Sequence, residues 1–414
     1  MRRKLGLTSL VLAVVLFCSG CSTLTGVAGS VGLFLSRFGM EDAPREYTPL
    51  YSALSDRPPL TQEEYYGYSI LNDKEREIYL RLVAAVETFS PYINLEPYHV
   101  PVEDFRRIFA HYRDDHPHHF WLFSGKAPED SADPEALLRS DPISGEMLDV
   151  RLNYSFSREE TEKMIGAIEE KSRTLLAGIQ AGLSEYETAR QLHDRLAEHI
   201  SYDDTHREEY IHTIYGSLVQ GRAVCSGYSK AYQFLLYQCG IQALFVRGVA
   251  DGENHAWNIV KIDSLYCHTD LTWDDTQSYP DLPPVPYLYF NLSDEQILAD
   301  HTLAAEPDDY PLPDCPSDRM EYYRSNGCSF ITLEGEGAAR LLTQLREAIR
   351  RKDSFLVLRV PPEGNVEAFT EELRQELYSV ISRINRFSPS PINPRCAFYA
   401  DPTTRIIRIR LEYR

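Results

Sequence analysis

The stretch from Ile241 to Trp273 limits the fold more than any other part of the chain. "IQALFVRGVA" (241–250) reads as a strand and "DGEN" as a turn. "HAWNIVKI" (255–262) and "LYCHTDLTW" (265–273) then flank "DS" as the two arms of a β-hairpin. Two registers are open. A hairpin centred between Ile262 and Asp263 sets His255 opposite Asp270, whereas Asp263 and Ser264 as the two turn residues set His255 opposite Thr272. Side chains repeat every second residue, so His255 and Asp270 share a face in both registers. One hairpin therefore presents an imidazole and a carboxylate side by side.

Directly upstream lies "GRAVCSGYSKAYQFLLYQCG" (221–240). Tyr228, Ala231, Tyr232, Leu235 and Leu236 recur with helical spacing, and Gly240 suits the left-handed position just past a helix end. Cys225 then falls in the first turn, where unpaired N–H groups and the positive end of the helix dipole favour a thiolate. A thiolate nucleophile, a histidine that takes and returns its proton, and an acid that orients the ring are what thiol acyl transfer requires. Cys225, His255 and Asp270 fill those roles in order. The backbone N–H of Cys225 is the natural donor to a tetrahedral oxyanion, with Tyr215 and Gln220 as candidates for a second. Trp257 and Trp273 flank the site, either as a water shield or as hairpin core. Asp274 and Asp275 are rivals to Asp270, His268 is a rival to His255, and His193, in an amphipathic helix, reads as structural.

"GRAVCSGYSKAYQFLLYQCGI", "NHAWNIVKID" and "YCHTDLTWDD" together resemble the transglutaminase-like (papain-like thiol) superfamily. The resemblance runs from the helix carrying "QLHDRLAEHISYDD" to "YFNLSDEQILADH" (289–301). It implies an α+β core in which a helix bearing the cysteine packs on an antiparallel sheet bearing the histidine and the aspartate. It implies Cys225, His255 and Asp270 as the triad, and peptide or protein amide bonds as substrates through a Cys225 thioester. Hydrolysis, amine transfer to a protein glutamine, and a non-catalytic binding role on the same fold are the three functional readings. None requires a cofactor, and no EF-hand loop is present.

The rest of the chain reads around this core. "MRRK" followed by "LGLTSLVLAVVLF" and "CSGC" fits a secretory signal over residues 1–20. It resembles a bacterial lipoprotein signal with lipid on Cys21, although Cys18 stands where that family usually has Leu. Export to the outer face of a membrane and substrates in the cell envelope follow as expectations, with two acyl chains giving stable attachment. Residues 21–60 read as a tether, 61–155 as a mixed, mainly helical region, 156–315 as the catalytic domain and 316–414 as a small α+β module. Helices are expected over 73–89 and 103–112, a His cluster with a turn at Pro117 running into an aromatic strand within 114–123, a strand over 148–156, and helix starts capped by Ser157 and Ser184. Residues 276–316 read as an irregular return path, and "SFITL" (329–333) as the first strand of the last module. A formal net charge of −20 argues against nucleic acid as a partner. Of the six cysteines outside the signal, Cys315 with Cys328 and Cys239 with Cys267 are possible disulfides, and no C-x-x-C pair suggests zinc. His116, His118 and His119 lack the spacing of a helical metal pair, so no metal is expected.

Overall fold

The computed structural model describes residues 58–122, 138–179, 182–206, 210–276, 287–304 and 311–413. Cys21, the proposed signal and nearly all of the tether lie outside the described residues. Among those described, no helix is long and apolar enough to cross a membrane.

Helices α1 (Asp73–Glu87) and α2 (Val102–Asp115) accompany a three-stranded antiparallel sheet of β1 (Tyr92–Asn94), which lies between them in the chain, β2 (Leu138–Ser140) and β3 (Met147–Arg151), in the order β1-β3-β2. Asn72 caps α1 by accepting from Glu75 N at 3.1 Å, while Glu75 Oε2 accepts from Asn72 N at 2.9 Å. Helices α3 (Arg158–Leu176) and α4 (Glu185–His199) start at Ser157 and Ser184, whose hydroxyls accept from Glu160 N and Glu187 N.

The central element is α5 (Cys225–Gln238). It ends at Gly240, whose φ of +73° glycine adopts without strain. The sequence gives it one apolar face, yet Gln233, Phe234 and Tyr237, off that face, are buried as well. The reason is a second layer. One hydrophobic cluster runs without a break from Leu60 through α1, α2, α4 and α5 to Phe290, so α5 is covered by α4, by the N-terminal region and by the sheet. Gln233 serves two of these neighbours: its Nε2 donates to Asp114 O of the N-terminal region at 2.9 Å and to Ala243 O of the sheet at 3.1 Å.

The sheet beside α5 consists of β4 (Ala243–Ala250), β5 (Glu253–Ile262), β6 (Leu265–Thr269) and β7 (His301–Leu303), all antiparallel, in the order β6-β5-β4-β7. Asp263 and Ser264 form the hairpin turn, with φ of +46° and +70°, and Ile262 faces Leu265. Of the two registers open in the sequence, this is the one with two turn residues. The pairing stops at Asn258 opposite Thr269, and the chain then turns into helix α6 (Leu271–Thr276), not the continued strand expected through Trp273. Gly248 faces His255 across β4 and β5 and Leu303 across β4 and β7. A Cβ there would overlap Thr302 O and lie 2.5 Å from Trp257 Cη2. Gly248→Ala is therefore expected to destabilise the protein by about 1–3 kcal/mol through overpacking. The midpoint of denaturant unfolding measures this, and an unchanged midpoint contradicts the packing.

The last module has its own hydrophobic cluster. Helices α7 (Gly337–Arg351) and α8 (Val366–Asn385) pack on an antiparallel sheet of β8 (Phe355–Arg359), β9 (Phe398–Asp401) and β10 (Ile406–Arg410), ordered β8-β10-β9. "SFITL" is not a strand here: only Ser329 bridges, in parallel, to Arg359. Arg359 joins the module to the core, donating to Glu321 Oε1 at 2.9 Å and to Leu288 O at 2.7 Å.

Two further expectations are corrected. Residues 116–122 form turns after α2, because the helix runs on to Asp115 and brings the histidines into the core. Residues 276–316, read as wholly irregular, contain a short helix at Asp294–Ile297 and the edge strand β7. Cys225, Cys239, Cys267, Cys315, Cys328 and Cys396 are all free thiols, so neither candidate disulfide is formed.

Candidate active site

Cys225 is the first residue of α5, and the chain before it is tightly held. Residues Ser201–Tyr202 and Arg222–Ala223 form a parallel two-residue ladder, and Val224 N donates to Ile211 O at 3.1 Å. Gly227 lets the helix approach that loop, since a Cβ would overlap Ile211 O and lie 2.8 Å from Ala223 Cβ. Val224, at the cap position, brings no side-chain acceptor to the first N–H groups. Tyr215 and Gln220 open and close a six-residue π-helix, Tyr215–Gln220, just upstream. The Tyr215 ring packs against Tyr210, with centroids 5.5 Å apart, and Gln220 is exposed.

His255 stands on β5, and its side chain is only 8% exposed. Its Nε2 lies 2.6 Å from Asp270 Oδ2, and the Cys225 thiol is near enough to the ring to act on its charge. With Nε2 committed to the carboxylate, Nδ1 is the ring nitrogen available to the sulfur. Burial disfavours a charged ring here. The charge and hydrogen bond of Asp270, together with Cys225, override that effect and raise the His255 pKa to about 10.

Asp270 sits where β6 ends. Its backbone N donates to Tyr289 O at 3.0 Å, and its Oδ1 accepts from Trp273 N at 3.1 Å as the cap of α6. The cap explains how Asp270 reaches His255 although the strand pairing has already stopped. Burial opposes the charge on Asp270, but His255 and His301 hold its carboxyl well below the usual range. The second histidine was not anticipated from the sequence. His301 Nε2 lies 3.1 Å from the same Oδ2, and its Nδ1 lies 2.6 Å from Asp300 Oδ1.

Two more residues missed in the sequence hold the helix on the sheet. The Ser229 hydroxyl lies 2.9 Å from Cys225 O and 3.0 Å from Ala256 O, so one side chain bridges the neighbourhoods of sulfur and imidazole. Asn258 Nδ2 donates to Ser229 O and Leu244 O, both at 3.1 Å. An Asn one turn of β-pleat beyond a "HAW" run carries a weak signal; Ser229 carries none.

The rivals are otherwise engaged. His268 accepts from Trp257 Nε1 at 2.9 Å on Nδ1 and pairs with Asp294 at 2.9 Å on Nε2. Asp274 meets His193 Nε2 at 3.0 Å and Tyr289 N at 2.8 Å, and Asp275 accepts from Tyr228 Oη at 2.7 Å. Trp257 is fully buried, and the half-buried Trp273 ring lies 5.7 Å from that of His255 and 4.5 Å from that of His301. Both tryptophans therefore wall the imidazoles. His116, His118 and His119 do come together, with one nitrogen of each within 4.8 Å of the others', burial keeps all three rings in the neutral form, and those of His116 and His119 stack at 4.5 Å and 11°. The parallel stacking leaves the lone pairs of His116 and His119 in separate planes, a poor match to tetrahedral ligation of one ion.

Residues 173–271, which include Cys225, His255 and Asp270, match the transglutaminase-like superfamily. A solved structure described as a TGase is similar, with 16% identity and a TM-score of 0.26, over 39% of this chain and 52% of that one. So is a candidate cysteine protease from Cytophaga hutchinsonii, with 13% identity and a TM-score of 0.22, over 34% of this chain and 47% of that one. The chain thus spans about half the length of the solved structures it matches. No curated protein matches it.

Proposed function

We propose that the transglutaminase-like domain carried at residues 173–271 is a cysteine-dependent acyl-transfer enzyme acting on peptide or protein amide bonds, most readily as a hydrolase. The observation that supports this reading is the line of contacts from the Cys225 sulfur through the His255 ring to Asp270, with the last gap at 2.6 Å.

The Cys225 sulfur attacks the amide carbon and a C–S bond forms. The carbonyl electrons move to oxygen, and the oxyanion takes the N–H of Cys225 at the start of α5. The C–N bond then breaks, and the amine leaves with a proton from His255. Asp270 keeps the ring in the orientation that serves both events. Water, deprotonated by His255, opens the thioester and returns the sulfur. An amine in place of that water gives cross-linking, and the same residues serve both outcomes.

Incubation of the protein with a glutamine-containing peptide library and a tagged primary amine separates them by mass. Hydrolysis gives cleaved or deamidated peptide without tag, and this is the expected result. Tagged product points to transfer, and no Cys225-dependent product of either kind contradicts the enzymatic reading in favour of a binding role. Export and lipidation at Cys21, with substrates near the membrane surface and no nucleic-acid partner, complete the proposal. They are supported by residues 1–21 and by the charge of −20. Mass spectrometry of the mature N-terminus tests the anchor: an unlipidated terminus at another residue removes it.

A further inference from the structure

We propose that His301 is a positioning residue which shares Asp270 with His255 and, as a fixed imidazolium, limits how tightly His255 holds its proton. The inference rests on the catalytic reading above and goes beyond the three residues that the reading needs.

The His301 side chain is fully buried. Its Nε2 is 3.1 Å from Asp270 Oδ2 and its Nδ1 is 2.6 Å from Asp300 Oδ1. Ionised carboxylates only accept, so both ring nitrogens must carry hydrogen, and a ring with two N–H groups is charged. Asp300 is itself braced, because its Oδ2 accepts from Tyr289 Oη at 2.7 Å. Burial opposes a charge on His301, but the carboxylates of Asp270 and Asp300 outweigh it and raise the His301 pKa.

That charge lies close to the reacting ring. The centroids of His255 and His301 are 5.6 Å apart, and both rings touch the same oxygen of Asp270. An undivided Asp270 would hold the His255 proton more firmly, which suits an ion pair with the thiolate but makes a poor acid toward a departing amine. His301 divides that charge. The other groups that face it do not duplicate the effect. His268, on β6, is committed to Trp257 and Asp294, and Ala250 on β4 is the apolar ladder partner of His301. Glu253, one strand further on, is exposed. Trp273 and Trp257 cover the ring at 4.5 and 5.1 Å, so water does not screen the two charges from one another.

The test is the rate of alkylation of Cys225 by iodoacetamide against pH, read peptide by peptide in the full chain. His301→Gln keeps a donor for Asp270 but removes the charge. Its alkaline inflection, where His255 loses its proton, is expected about one pH unit above the parent's. Asp300→Asn keeps the ring but releases its second proton, so it should shift the inflection the same way by less, and it serves as the independent arm if His301→Gln folds poorly. Profiles of both variants that superimpose on the parent's would overturn the inference and leave the triad intact. A parent profile with no inflection, or one unchanged by His255→Ala, would instead sink the catalytic reading, and this inference with it.

Discussion

Cys225→Ala is expected to abolish turnover of any amide substrate, a loss of about 10⁴-fold or more. The sulfur has no substitute. His255 would then hold only a water, which is a far weaker nucleophile toward an amide than a thiolate, and no acyl intermediate can form. The fold should survive, because Cys225 is half-exposed at a helix start and an alanine there removes little packing. The unfolding midpoint of the variant should therefore match the parent's, while peptide turnover and amine incorporation both vanish. Full turnover by the variant would show that the chemistry lies elsewhere.

The largest effect on stability is expected far from the sulfur. Asp114, at the end of α2, receives a bidentate pair from Arg247 of β4 at 2.8 and 2.7 Å, and a third contact from Arg113 at 3.1 Å. Asp114 is buried and the Arg247 side chain is 19% exposed, so removing the carboxylate takes two charge-assisted hydrogen bonds from a largely buried guanidinium. Asp114→Ala is expected to cost about 3–5 kcal/mol, seen as a fall in the denaturant midpoint. Asp114→Leu with Arg247→Met should recover part of it, because a matched apolar pair replaces the buried one, while the partly exposed Arg113 loses its contact. The pH dependence has a definite sign. Burial opposes the Asp114 charge, but Arg247 and Arg113 hold its carboxyl well below the usual range. The stabilisation is thus fully present above the ordinary aspartate value of about 3.9 and is lost only as pH falls through the lower folded value. Parent and Asp114→Ala should differ equally at pH 8 and pH 5 and converge only in strong acid. Equal midpoints at neutral pH would mean that the N-terminal region is not tied to the sheet by this pair.

Much of the core could be read from the chain because its signals are local. A two-residue turn between apolar runs fixes a hairpin, and helical spacing behind Cys225 fixes a helix, whatever the rest of the molecule does. The end of β6 was not legible. "LTW" continues the strand alternation, and only the three-dimensional position of Asp270, capping Trp273 N, turns it into a helix. The burial of α5 on every side was hidden too, because the residues that cover it, Leu60 among them, are far away in sequence. His301 is the clearest case. It lies 31 residues from Asp270, on a three-residue strand behind a Pro-rich stretch, and so short a strand leaves no periodicity to detect. In the last module "SFITL" has strand composition, yet a single bridge to Arg359 is all that forms.

The central claim is that one thiol among the six in the described residues is activated by a neighbouring imidazole, and competitive labelling tests it most directly. Burial pushes Cys267 up to about 12, and Cys328 and Cys396 up to about 11, so those thiols are protonated at neutral pH. At pH 7, with limiting iodoacetamide and quantification of each cysteine peptide, Cys225 should be modified first and at least ten times faster than any other, by order of magnitude. His255→Ala should erase that advantage. Equal labelling across the cysteines, or a Cys225 rate untouched by His255→Ala, would contradict the account.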